Sequence, residues 1–74
     1  MCYDVVVDGR KTIVTDPVML FDTVRKFAGY DEARQAEIWA LNIEEESRQG
    51  TIKDSYIFFK CLDGKEIELH FEKI

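Results

Sequence analysis

Hydrophobic and polar positions along this chain fall into short blocks of two kinds, alternating runs at both ends and helix-spaced stripes between them. Residues 2–7 (Cys2-Tyr3-Asp4-Val5-Val6-Val7) are rich in aromatic and β-branched side chains, which suit a pleated strand. Asp8-Gly9 follows, and Asp-Gly between apolar runs is a strong signal for a tight hairpin turn. Lys11-Thr12-Ile13-Val14-Thr15 is then the return strand. Asp16 can accept free backbone N–H groups at a helix start, and Pro17 suits the first helical position, where no N–H is needed. Leu20, Phe21, Val24, Phe27 and Ala28 share one face of that helix, and Gly29 ends it as a left-handed cap.

A second helix is predicted from about Glu32 to Gln49, with Asp31 as its N-cap and Gly50 as its stop. Ala36, Trp39, Ala40, Ile43 and Ser47 form its inward arc. Leu41 and Ile43 also alternate with Trp39, but the flanking Ala, Glu, Arg and Gln favour helix. Thr51 to Asp54 is a polar connector. Ser55 to Leu62 is the most strand-like run of the chain, Asp63-Gly64-Lys65 turns it, and Glu66 to Glu72 alternates as a strand with one buried face. A three-residue Leu62-Asp63-Gly64 loop would set Ile57 opposite Leu69 and Phe59 opposite Ile67, pairing apolar with apolar. The prediction is an α+β single domain over residues 1–74, ordered β-β-α-α-β-β. Its two Asp-Gly hairpins join one mainly antiparallel sheet, with two helices packed on one face. A core this small leans on few aromatics, and Phe21, Phe27, Trp39, Phe59 and Phe71 are the candidates.

Composition adds charge to that outline. The 74 residues carry a formal net charge of −5. Six acids in residues 31–49 (Asp31, Glu32, Glu37, Glu44, Glu45, Glu46) stand against Arg34 and Arg48, a local sum of −4. Phosphate binding needs displaced counterions and hence cations, so direct nucleic-acid binding and docking on anionic membranes are both disfavoured. No apolar run approaches the roughly 18 residues of a membrane span. The Met1-Cys2-Tyr3-Asp4 start lacks the pattern of a signal peptide. Cys2 and Cys61, each in an apolar strand pattern, are expected as buried, reduced thiols of a cytoplasmic protein.

Catalytic or metal chemistry finds little support. Glu66, Glu68, His70 and Glu72 share one strand face, but residues two apart sit roughly 7 Å from each other and do not converge on one ion. His70 is expected on the face opposite the Cys61 thiol, beyond the reach a nucleophile and base require. Glu44-Glu45-Glu46 occupy successive helix positions, which point apart. No phosphate loop, nucleophile elbow or zinc-protease spacing occurs. The expectation is a protein that is not an enzyme and carries no cofactor or metal.

Two surfaces remain. On the second helix, Ile38 and Leu41 fall opposite the inward arc, beside Arg34, Glu37, Glu44 and Glu45. That makes an apolar spot inside an acidic field, suited to a basic protein surface. On the outer sheet face, Tyr56 and Phe58 lie next to Glu66, Glu68 and His70, where cross-strand pairing accounts for them. The resulting expectation is a protein-binding module with Arg34, Glu37, Ile38, Leu41, Glu44 and Glu45 as its contact residues. In size and charge the chain resembles small inhibitors encoded by phages and mobile elements, such as anti-CRISPR proteins. That resemblance implies an inhibitor occupying a basic, nucleic-acid-binding surface of its partner. The alternative is a homodimeric structural or regulatory subunit, joined through Ile38 and Leu41 or through an exposed edge strand.

Overall fold

Two β-hairpins flank a helical hairpin in a computed structural model that describes residues 1–51 and 53–72. The elements are β1 (Tyr3–Val7), β2 (Arg10–Val14), α1 (Pro17–Ala28), α2 (Tyr30–Gln49), β3 (Ser55–Lys60) and β4 (Glu66–Phe71). They form one four-stranded antiparallel sheet in the order β2-β1-β4-β3. The first and last strands are therefore the central pair, with Val5 opposite Leu69 and Val7 opposite Ile67. Asp8 (φ 53°) and Gly9 (φ 77°) make the first turn, both in the left-handed region that a two-residue hairpin demands. The second hairpin closes through Leu62-Asp63-Gly64, with Gly64 at φ 90°. Ile57 faces Leu69 and Phe59 faces Ile67, the register that apolar pairing predicts.

Strand alternation sorts the sheet into two faces. The inner face presents Tyr3, Val5, Val14, Ile67, Leu69 and Phe71, all buried. Leu20, Val24 and Ala28 of α1 and Ala33, Ala36, Ala40 and Ile43 of α2 pack against it. The run of alanines on α2 lets its backbone approach its neighbours closely. Asp16 caps α1 by accepting the Met19 N–H at 2.8 Å.

Four local expectations change. Helix α2 starts at Tyr30, so Asp31 lies inside its first turn, where its charge still favours the dipole, and is not the N-cap. Gly29 both ends α1 and begins α2, at φ 101° and ψ −178°, which is an extended mirror-image conformation rather than a left-handed helical cap. Phe27 is 42% exposed, because the core arc of α1 runs through Leu20, Val24 and Ala28 and Phe27 lies to one side. Both cysteines are free, but only Cys61 is buried; Cys2 precedes β1 and is exposed. Trp39, Phe21 and Phe59 are half-buried against the core, while Tyr3 is wholly enclosed. Strand ends shift by a residue or two, and Ile52 of the connector lies outside the described residues.

Candidate functional site

Helix α2 positions all six residues of the predicted contact surface. Its buried positions, Ala33, Ala36, Ala40 and Ile43, point at the sheet and α1. At 3.6 residues per turn, Ile38 then projects almost straight away from the core, with Arg34 and Glu45 one and two turns along the same ridge. Glu37, Leu41 and Glu44 follow the adjacent flank at i, i+4 and i+7. Ile38 is 46% exposed and Leu41 is 48% exposed, neighbours in solvent as the helical spacing implies.

Charged groups frame this apolar pair. Arg34 donates to Glu37 Oε1 at 2.5 Å, an ion pair in solvent. Glu45 accepts from Arg48 and, at 3.2 Å, from the Gln49 amide. Those hydrogen bonds, the Arg48 bond foremost, hold the Glu45 carboxyl below the usual glutamate range, so it is anionic at neutral pH. Glu44 behaves differently. Its Oε2 accepts the Tyr3 hydroxyl at 3.2 Å, so its carboxylate turns to the core side of the rim. The Ala40 carbonyl lies 3.3 Å from the same hydroxyl and shares its single proton. Burial first, and the Glu44 charge second, push the Tyr3 phenol well above its ordinary range.

The outer sheet face is open to solvent. Tyr56, Phe58 and Ile13 are exposed there, between Asp4, Lys11, Glu66 and Glu68. The His70 ring stacks on Tyr56 with centroids 4.1 Å apart and planes 6° from parallel. Its Nδ1 lies 3.8 Å from Asp4 Oδ2, and its Nε2 is buried with no hydrogen-bond partner among the described residues. The Cys61 thiol is enclosed near the second turn, and burial raises it above the ordinary thiol range, which keeps it protonated. Among the described residues, no group of three or more His, Cys, Asp or Glu side chains is placed to hold a metal ion. Among the described residues, no helix is long and apolar enough to cross a membrane.

One concave feature has no counterpart in the sequence patterns. A cavity of about 410 Å³ opens between the first hairpin, the C-terminal end of α1 and the second turn. Its walls come from Val5, Arg10, Phe27 and Lys65, positions too far apart in the chain for any local spacing to announce them. The unexpected exposure of Phe27 is the side-chain mark of this opening. No protein-family model, curated protein or solved structure matches this chain.

Proposed function

We propose that this chain is a non-enzymatic protein-binding module that docks on a basic protein surface through the outward side of α2. One observation carries the reading: Ile38 and Leu41 stand half-exposed together in a helical segment whose charges sum to −4. Burying two aliphatic side chains supplies affinity, and the surrounding carboxylates steer a cationic partner and select against anionic ones. In its sharper form, the partner's surface is one that otherwise binds nucleic acid, and this module inhibits by covering it. Two free thiols suit the reducing cytoplasm as the place of action. A second copy is the weaker occupant of this surface, because two acidic rims would then face each other.

The test is capture from a lysate of the source cells, read by mass spectrometry. Wild-type chain is expected to retain a basic protein that both I38S/L41S and E37K/E45K lose. Glu44 is left unchanged because its carboxylate also holds Tyr3. Capture that survives both double substitutions would remove the proposal.

A further inference from the structure

Strand β2 lies at one edge of the sheet and, among the described residues, pairs on one side, with β1. The two-residue Asp8-Gly9 loop makes Val7 and Arg10 the first hydrogen-bonded pair of the hairpin, and Val5 with Thr12 the next. The backbone N–H and C=O groups of Lys11 and Ile13 therefore point away from β1, along the free edge. Residues Arg10 through Ile13 are all exposed.

The cavity adjoins this edge on the helix side of the sheet. Val5 and Val7 form its apolar floor, Thr12 and Arg10 its rim on β2, and Phe27 of α1 its wall. Its volume, about 410 Å³, lies in the range of pockets that take whole side chains or small ligands. The cavity lining is balanced, Asp8 and Asp63 against Arg10 and Lys65, and the excess of cations lies on the strand beside it. Strand β2 carries Arg10 and Lys11 and no acid, within a chain of net −5. Lys65 is already matched, its Nζ lying 3.1 Å from Asp8 Oδ2, and Lys11 Nζ lies 3.9 Å from Asp4 Oδ2 on the outer face. The Arg10 guanidinium has no hydrogen-bond or ion-pair partner among the described residues.

We infer that this edge and groove bind an extended, acidic segment of a partner protein, added as a fifth strand beside β2. Lys11 and Ile13 supply the ladder hydrogen bonds. Alternate side chains of the added strand, roughly 7 Å apart, face the groove, where an apolar one reaches toward Val5, Val7 and Phe27 and a carboxylate meets Arg10. An acid on the other face would compete with Asp4 for the exposed Lys11 ammonium. Two copies of β2 fit this edge poorly, since each strand brings Arg10 and Lys11 and no acid to answer them, and edge lysines oppose self-pairing. The site is separate from the α2 surface. Helix α2 leans toward the opposite side of the sheet, where Trp39 Nε1 donates to Ser55 Oγ of β3 at 2.9 Å.

Selection of a random library of short peptides against the full chain tests this. The expected winners alternate acidic with apolar residues, avoid proline, and protect the Lys11 and Ile13 amides from hydrogen exchange. R10E/K11E changes two exposed side chains and is expected to weaken a winning peptide about tenfold or more at low salt. I13P, which removes an outward N–H while sparing the β1 ladder, is expected to abolish the binding. The same peptide N-methylated at alternate amides is expected to fail against the wild type, so the result stands even if I13P does not fold. The inference is overturned by a library that yields no binder, by winners that protect α2 or the open sheet face instead, or by affinity that R10E/K11E leaves unchanged.

Discussion

The Tyr3 hydroxyl sits where the sheet meets α2, its one proton shared between the Ala40 carbonyl and Glu44. Its phenol is raised above the ordinary value near 10, so the folded chain keeps a proton that the unfolded chain releases in strong base. Stability is then full below the unfolded phenol's pKa and falls as pH rises beyond it. In an ultraviolet titration, one of the three tyrosines is expected to ionise only as the protein unfolds, and Y3F to remove that step. Y3F should also cost about 1 kcal/mol in urea denaturation, the usual net worth of a buried hydrogen bond. The cysteines offer a second check. Cys2 should react promptly with a thiol reagent and Cys61 only on unfolding, because one is exposed and the other enclosed and raised. Equal labelling rates in the native protein would contradict the packing around the second turn. Neither the place of Tyr3 nor the exposure of Phe27 was legible from composition. Aromatic content says that large side chains exist, while the arc each one joins depends on how the helix rolls against the sheet.

Gly29 joins α1 to α2 with a single residue. Its φ of 101° and ψ of −178° lie in a region essentially restricted to glycine. A Cβ there would meet Leu62 Cδ2 and Glu32 Oε2 at 3.8 and 3.9 Å, ordinary contacts, so the penalty of G29A is one of backbone conformation alone. It should lower stability by about 1–3 kcal/mol in chemical denaturation. D16A, which removes the α1 cap, should lower it by about 1 kcal/mol. A G29A protein as stable as wild type would mean the helical hairpin turns elsewhere. Elements were the most legible level. Asp-Gly turns, Asp-Pro at a helix start and strict alternation in the last strand each act over a few residues. The start of α2 was not legible, because a good capping side chain such as Asp31 is only a local preference, and the helix begins a residue earlier, at Tyr30, with Gly29 in the cap position.

At the scale of the whole molecule, charge is segregated. The helical segment 31–49 holds a net −4, whereas the β2 edge carries Arg10 and Lys11. Capture by α2 should therefore depend on salt. Its association rate is expected to fall as ionic strength rises and the Debye length shrinks below about 10 Å, while I38S/L41S should mainly hasten dissociation. Biosensor kinetics at two salt concentrations would separate the two, and a salt-independent association rate would contradict steering by the acidic rim. By itself the sequence determined the order of the elements, both turns, the β3–β4 register and the outward placing of Ile38 and Leu41, because periodicity and turn chemistry operate between near neighbours. Only the tertiary structure decided that the first and last strands pair, that Tyr3 closes the core and draws Glu44 inward, and that an edge strand and a groove lie side by side. Those features join residues far apart in the chain, and contact at such separation leaves no pattern along it.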